Sequence, residues 1–300
     1  MNMNNSYDIM PQLGQCVEAR LRNEGSELKV SAISVTKNNG VSRRGFSIKG
    51  NENVSTVIYA DDMVRAYEKK EMSAAEIADS VTDMYNRARE GICMYSGFDP
   101  SKEEVLEKVQ PCLINRERNK ELEKEVPCCV FLDMLEVYRV FFNDASIMVD
   151  NRLMNILDIS EQELFEHAHS NLSIAEFEVK ELNQLLYELT GVKPENVYGC
   201  GEPLPGPQMY VLRRLKLAFG DAVLLEEEYF GALSEMLGDD LYILPSSINE
   251  VMACAASQCD PEMLRNMVME VNRAEVSEEE YLSDNIYRYR HKEKQFEVYG

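Results

Sequence analysis

The chain has 300 residues, of which 45% are hydrophobic and 28% are charged, and its formal net charge is −22. The apolar fraction is large enough to build a core, which excludes global disorder, and no apolar run approaches the roughly 18 residues of a membrane span. Because the N-terminal sequence lacks the features of a signal peptide and the negative charge repels phosphates and membrane surfaces, we expect a cytoplasmic protein with no nucleic-acid or membrane partner.

The first 60 residues predict a helix followed by short strands. Residues 11–23 have the spacing of a helix that ends before Gly25. Residues 27–35 (ELKVSAISV) are rich in β-branched side chains, and residues 46–50 (FSIKG) and 55–59 (STVIY) follow as further strands.

Three basic side chains surround the turn between the first two predicted strands, in a chain that is otherwise acidic. Residues 38–40 (NNG) tolerate positive φ and therefore predict a tight hairpin turn without a ligand. A Walker loop is excluded, because no Gly-Lys-Ser/Thr opens a helix here. The acidic patch of a partner could instead dock on Lys37, Arg43 and Arg44.

Helix starts are marked by capping boxes, in which a serine is followed three residues later by glutamate. Such boxes begin at Ser73, Ser160 and Ser173, and the last one predicts a helix that stops at Gly191. Asp260, followed directly by proline, predicts another helix start. The apolar stripes of these helices are core stripes, and we expect no cofactor.

Strands alternate with helices in the second half. The candidates are residues 135–142 and 145–150 as a hairpin, then 209–214, 221–225 and 240–244. Residues 91–102 and 191–207 are predicted linkers, because they are rich in glycine and proline.

The order of these elements predicts the fold class. Strands and helices mix without a regular βαβ alternation, so we expect an α+β fold of short antiparallel strands and amphipathic helices in two packed halves. We predict an N-terminal α+β domain with the hairpin, residues 1–110, and a C-terminal α+β domain, residues 111–300.

The cysteines and histidines do not predict a metal centre. The eight cysteines contain no C-x-x-C pair, and a long chain without a signal peptide needs no disulfide framework, so we expect reduced thiols. Cys254 and Cys259 are five residues apart, which is not a usual zinc spacing. His167 and His169 would point about 200° apart on a helix, so we interpret them as surface residues.

Adjacent acids at Asp239 and Asp240 follow a predicted helix and precede a strand. Paired carboxylates can bind Mg²⁺ or carry out acid/base chemistry, but adjacent acids at the ends of elements are more often caps. We keep both interpretations.

The stretch LYILPSSINEV leads from a strand into Pro245, which is followed by Ser246, Ser247, Asn249 and Glu250. A serine nucleophile would need a G-x-S-x-G elbow and a nearby histidine, and the sequence has neither here. A corner between two strands, with the hydroxyls satisfying backbone groups, is the favoured interpretation. A polar binding site is the alternative.

Six segments resemble, in order, the domain of unknown function 5688 family of anaerobic bacteria. They are residues 35–48 (VTKNNGV with RRGFSI), 55–59 (STVIY), 119–134 (NKELEKEVP followed by FLDM), 237–251 (LGDDLYILPSSINEV), 271–272 (VN) and 282–289 (LSDNIYRY). The second half is also distantly similar to the YtpQ-like family around Pro245. Neither resemblance implies an activity or catalytic residues, and position 249, commonly His in the first family, is Asn249 here.

The scarcity of histidine, the lack of a nucleotide loop and the acidic charge favour one function. We expect a non-enzymatic protein–protein interaction module with an unidentified protein partner. The first alternative is an enzyme or small-ligand-binding protein, with a polar site at residues 245–250 facing Asp239 and Asp240. The second alternative is an acidic mimic of nucleic acid.

Overall fold

The computed structural model describes residues 9–23, 25–50, 55–92, 100–142, 145–173, 177–192, 207–215, 219–245 and 247–299. The chain divides into two compact units, Met1–Pro100 and Ser101–Gly300. Each unit contains helices and antiparallel sheet, which confirms the α+β fold. Compactness alone does not show that each unit folds on its own. The domain boundary at residue 110 therefore stays a prediction.

The described residues of the first unit form three helices and one sheet. The helices are α1 (Met10–Asn23), α2 (Asp61–Glu68) and α3 (Ala74–Ile92), and the strands are β1 (Lys29–Thr36), β2 (Ser42–Lys49) and β3 (Ser55–Tyr59). The strands are antiparallel in the order β1-β2-β3. In the β1–β2 turn Asn39 and Gly40 have φ values of 60° and 70°, so the predicted hairpin turn is confirmed.

The apolar faces of α1 and α3 and one face of β2 form the core of this unit. Its fully buried side chains include Val17, Phe46, Ile77 and Val81. Burying a side chain of this size contributes about 1.5–3 kcal/mol each, so this core is large enough to hold the helices on the sheet.

The second unit has six described helices and ten described strands. The helices are α4 (Lys102–Lys108), α5 (Asn151–Leu157), α6 (Glu161–Ser173), α7 (Leu182–Thr190), α8 (Glu227–Leu237) and α9 (Pro261–Ala274). The strands are β4 (Val109–Asn115), β5 (Cys128–Phe131), β6 (Met134–Phe142), β7 (Ala145–Met148), β8 (Phe177–Glu181), β9 (Met209–Arg214), β10 (Leu241–Leu244), β11 (Glu250–Ala255), β12 (Ile286–Arg290) and β13 (Gln295–Tyr299).

Two antiparallel sheets organise these strands. Six of them follow the order β13-β12-β10-β11-β9-β8, so β8 and β13 are the edges of the larger sheet. In the smaller sheet β6 pairs with β4 on one side and with β5 and β7 on the other. Helix α8 packs its buried Phe230 and Leu233 in one core with the larger sheet. The helices in the described ranges lack the length and apolarity to cross a membrane.

Local sequence signals position most helix ends as predicted. Ser73 Oγ accepts a hydrogen bond from the Glu76 amide at 3.3 Å, and the Glu76 carboxylate accepts one from the Ser73 amide at 2.8 Å. Asp260 accepts a hydrogen bond from the Met263 amide at 3.0 Å ahead of α9. Gly191 ends α7 with a φ of 69°. These three ends are confirmed.

The helix predicted from Ser173 is wrong in its first part. Ser173 is the last residue of α6, and Phe177–Glu181 forms the strand β8, which pairs with β9. The sequence FEVKE alternates with the two-residue period of a strand. Helix α7 begins only after Glu181, whose carboxylate accepts a hydrogen bond from the Gln184 amide at 2.9 Å.

The strand predicted at residues 221–225 is also wrong. Gly220–Leu225 is a short 3-10 helix whose first five residues are buried. The buried Asp221 accepts a hydrogen bond from the Leu113 amide at 3.0 Å, so this segment closes the open edge of β4 rather than adding a strand. A short buried apolar run gives no period that distinguishes strand from helix.

Candidate functional site

A groove of about 690 Å³ lies in the second unit between β8, α7 and α8. Its deepest side chains are Tyr210 of β9 and Leu233 of α8, which are 8% and 3% exposed. Val179 of β8 and Met236 of α8 also line the groove, yet they are 36% and 63% exposed. The groove therefore combines a buried apolar floor with apolar side chains that remain accessible to a ligand.

The groove follows from the position of β8 at the sheet edge. Val179 pairs directly with Leu212 of β9, so the two side chains share one face of the sheet. Leu212 is fully buried in the core that α8 covers, whereas Val179, one strand further out, is not covered. The core face of the sheet thus extends beyond the helix at its edge, and the uncovered part forms the groove.

Carboxylates dominate the charged part of the lining. Glu181 and Glu228 both line the groove, together with Lys180. The Lys180 ammonium is held at 2.8 Å by Glu178 and at 2.5 Å by Glu188. Lys180 is the one cation among the described lining residues, and it is already paired with two anions. The charged rim of the groove, which consists of Lys180, Glu181 and Glu228, is therefore acidic.

Electrostatic effects on nearby groups agree with an acidic rim. Burial and the Glu181 carboxylate raise the pKa of Tyr210. Burial and the neighbouring Glu228 raise the pKa of Glu226, just before α8. A cation bound here would relieve the repulsion between carboxylates.

Helix α7 adds apolar surface beside the groove. Leu185 is its buried residue, whereas Leu186, Tyr187 and Leu189 are 40%, 46% and 67% exposed. Residues 193–206, most of the linker predicted at 191–207, lie outside the described residues.

The basic residues of the first hairpin all lie against partners within the first unit. The Lys37 ammonium lies 4.4 Å from the centroid of the Tyr59 ring. Arg44 Nη1 lies 3.1 Å from Glu68 Oε1, and Arg43 Nη1 lies 4.0 Å from Asp61 Oδ2. The positive charge that the sequence concentrates at this turn is therefore largely balanced by acids of α2.

The paired acids at the start of β10 hold backbone and arginine groups. Asp240 Oδ2 accepts hydrogen bonds from Arg288 at 3.0 and 2.7 Å, and its Oδ1 accepts one from the His291 amide at 2.9 Å. Asp239 Oδ2 accepts one from the Ser257 amide at 2.8 Å. Burial opposes ionisation of both carboxylates, but these hydrogen bonds outweigh it and lower both pKa values.

The segment after Pro245 joins β10 to β11. The two strands pair from Leu241 with Ala255 to Leu244 with Met252, which confirms the strand-to-strand corner. Pro245 is buried, Glu250 is exposed, and Ser246 lies outside the described residues.

Side chains in this corner contact the chain near residue 280. Ser247 Oγ accepts a hydrogen bond from the Asn249 amide at 3.2 Å, and Asn249 Nδ2 donates one to Glu280 Oε1 at 3.0 Å. Asp239 and Asp240 lie at the opposite end of β10, roughly 13 Å away along a four-residue strand. The structure does not bring these two predicted sets together. No metal-binding cluster of histidine, cysteine, aspartate or glutamate occurs among the described residues.

His169 is more constrained than the sequence suggests. Its Nε2 lies 2.7 Å from Oε1 of Glu136, a buried residue of β6, and its ring lies 4.2 Å from that of Phe165. His167 is exposed, as predicted. The contact between His169 and Glu136 connects α6 to the smaller sheet.

A partly buried polar network converges on Asp133, in the turn between β5 and β6. Asp133 Oδ1 accepts a hydrogen bond from the Tyr287 hydroxyl at 2.5 Å, and Oδ2 accepts one from Asn285 Nδ2 at 2.9 Å and one from Ser283 Oγ at 3.3 Å. Leu132, just before it, has a φ of 54°, which is uncommon for a residue other than glycine.

Two asparagines extend this network. Asn272 Nδ2 donates to the Ser283 carbonyl at 3.0 Å and to Asp284 Oδ1 at 2.8 Å, and Asn115 Nδ2 donates to the Leu282 carbonyl at 2.8 Å. The segments FLDM, VN and LSDNIYRY, which are far apart in sequence, therefore meet in one network.

The chain from residue 10 to residue 291 matches the family of unknown function DUF5688. The chain belongs to this family. No curated protein and no solved structure matches the chain.

The DUF5688 match contains the groove, the Asp133 network and all described strands except β13. The family description assigns no activity. Sequence reasoning missed the groove because its lining comes from four elements between residues 179 and 236. The alternation in FEVKE was the one local signal for its edge strand.

Proposed function

We propose that this protein is a protein-interaction module whose groove binds a basic segment of a partner with apolar anchor side chains. One observation carries the proposal: in the same groove, accessible apolar side chains at Val179 and Met236 stand beside the carboxylates Glu181 and Glu228. Grooves that bind peptides commonly combine apolar pockets for anchor residues with a charged rim that selects the partner.

The apolar part supplies the affinity in this proposal. Val179 and Met236 lose water when an anchor side chain enters, at about 25 cal/mol for each Å² of apolar surface buried. Methionine adapts to anchors of different shape because its side chain is unbranched and polarisable. Tyr210 and Leu233, already buried, give the anchor a fixed floor.

The charge of the rim supplies the selectivity. The protein carries a formal net charge of −22, and the described rim has no cation without an anionic partner. An acidic field attracts basic segments over a distance and repels acidic ones. We therefore propose Lys/Arg-rich segments with one or two large apolar residues as the class of ligand.

A displayed peptide library selected against the full chain tests the proposal. We expect selected peptides to be rich in Lys/Arg and in Leu, Met or Phe, and Met236→Glu to weaken their binding at least about tenfold, since it places a carboxylate on the apolar wall. Met263→Glu is the matched control, because Met263 is 59% exposed on α9 of the same unit and lies away from the groove lining. Peptides that bind Met236→Glu and the unmodified protein equally would overturn the proposal.

Other surfaces suggested by the sequence remain proposals of lower rank. Lys37, Arg43 and Arg44 would receive an acidic region of a partner, and the double variant Arg43→Glu/Arg44→Glu tests this. A ligand site at residues 245–250, an acidic mimic of nucleic acid and the similarity to the YtpQ-like family rest on the sequence alone.

A further inference from the structure

Two cysteines in the second unit, Cys254 and Cys259, lie in contact, with four residues between them in the sequence. Cys254 is in β11 and Cys259 immediately precedes Asp260, the cap of α9, and the two sulfur atoms are 3.1 Å apart. Cys254 is fully buried, whereas Cys259 is partly exposed. Both sulfurs belong to a core cluster with Leu264 of α9.

The backbone between the two cysteines is held in place by hydrogen bonds. The Ala256 amide donates to the Asp240 carbonyl at 2.8 Å, and the Ser257 amide donates to Asp239 Oδ2 at 2.8 Å. The Cys259 amide donates to the Ala256 carbonyl at 3.3 Å and closes the turn. The closeness of the sulfurs is therefore set by a built turn rather than by free side chains.

We propose that Cys254 and Cys259 are a modification site at which a reversible intramolecular disulfide forms. A disulfide bond is about 2.05 Å long, so the two sulfurs need to approach by only about 1 Å. The proposal requires rotation of the two side chains to supply this movement while β11 and α9 stay in place. The product would covalently join the last part of β11 to the start of α9.

Hydrogen peroxide is the oxidant that completes the reaction. The thiolate of Cys259, the more accessible sulfur, attacks one peroxide oxygen, the O–O bond breaks, and water leaves after taking up a proton, which gives a sulfenic acid on Cys259. The Cys254 sulfur then attacks the Cys259 sulfur and displaces hydroxide, which leaves as a second water with the Cys254 proton. Two thiols lose two electrons in total, and the peroxide gains them.

The environment of Cys254 and Cys259 determines how much peroxide and how much time the oxidation experiment needs. Burial raises the pKa of both thiols, and Asp239 adds to this effect at Cys259. The reactive thiolate is therefore scarce near neutral pH, and the oxidation is slow with stoichiometric peroxide. Excess hydrogen peroxide and a time course are needed.

Peptide mapping of the oxidised full chain tests the proposal. Tryptic peptide 217–265 contains both cysteines and no other, so the disulfide stays within one peptide. After peroxide treatment and blocking of free thiols with N-ethylmaleimide in denaturant, we expect this peptide to lack both labels and to weigh about 2 Da less than its reduced form. Dithiothreitol should restore both labels.

Two variants decide whether the pairing is specific. Cys259→Ser should leave Cys254 labelled, whereas Cys129→Ser, which removes an exposed thiol, should leave the mass loss in peptide 217–265 unchanged. The proposal is overturned if both cysteines remain labelled in the unmodified chain after oxidation. It is also overturned if Cys259 gains oxygen atoms without losing the Cys254 label, or if either cysteine is found linked to another one.

Discussion

The hydroxyl of Tyr287 donates a hydrogen bond of 2.5 Å to Asp133, across 154 residues of sequence. This contact joins the β5–β6 turn of the smaller sheet to β12, an interior strand of the larger one. Asn285 and Ser283 donate to the same carboxylate. One aspartate thus connects the two sheets of the second unit.

We expect Asp133→Ala to destabilise the protein by about 2–4 kcal/mol, because it leaves three donors without their acceptor in a partly buried place. Tyr287→Phe removes one donor and should cost about 1–2 kcal/mol. Urea unfolding of both variants measures the two effects. Glu270→Ala, an exposed change on α9, is the control and should stay within about 0.5 kcal/mol. Equal stability of Asp133→Ala and the control would contradict a structural role for the network.

Alkaline pH should destabilise the second unit through its buried tyrosines. Burial, with the Asp133 charge, raises the pKa of Tyr287, and burial with Asp284 raises that of Tyr281 to about 12. A group whose pKa is raised on folding contributes stability that is complete below its unfolded pKa, near 10, and lost as the pH rises through the folded value. We therefore expect the free energy of unfolding to fall from about pH 10 upward.

Tyr287→Phe separates this effect from general alkaline repulsion. The variant should be less stable than the unmodified protein near neutral pH, and its stability should fall less steeply above about pH 10, because one titrating group is absent. Urea unfolding at a series of pH values measures both slopes. Parallel slopes would show that Tyr287 does not contribute to the alkaline loss.

Local signals in the sequence were sufficient for most elements and insufficient for the groove. The capping box at Ser73 and the Asp260–Pro261 start need contacts within three residues, and both form as predicted. The box at Ser173 competed with pairing to β9, whose partner residues are 29 to 37 positions away in sequence, and the pairing prevailed. The groove depends on the pairing of β8 with β9. Because a helix was wrongly predicted at residues 177–181, the groove could not be predicted from the sequence.

The basic residues of the first hairpin have neighbours in the fold that the sequence does not reveal. Arg43 and Arg44 were conspicuous because the first 50 residues carry few acids nearby in sequence. In the fold, Asp61 and Glu68 of α2 come beside them. Tertiary contacts decide which charges remain available to a partner. A count of charges along the chain does not include these contacts.

Gly220 is a position where the backbone itself excludes a side chain. A Cβ atom there would lie 2.1 Å from the carbonyl oxygen of Asn249, so Gly220→Ala must displace either the 3-10 helix or the start of β11. We expect a loss of more than about 3 kcal/mol, measured by urea unfolding. Gly231→Ala is the matched control, since a Cβ there meets only side-chain ends at 3.3 and 3.4 Å. In the middle of α8 that change gains helix propensity and should be neutral or stabilising by up to about 1 kcal/mol.

Binding in the groove should depend on salt because its rim is acidic. The Debye length falls from about 10 Å at 0.1 M to about 3 Å at 1 M salt, so attraction between the rim and a basic peptide is screened over this range. We expect the association rate constant of a selected peptide, measured by stopped flow, to fall at least about tenfold, with a smaller change in the dissociation rate constant. Glu228→Lys should lower the rate at low salt and flatten its salt dependence, whereas Glu270→Lys makes the same charge change on α9. If both variants slow association equally, the net charge of the protein attracts the peptide and the rim of the groove does not select it.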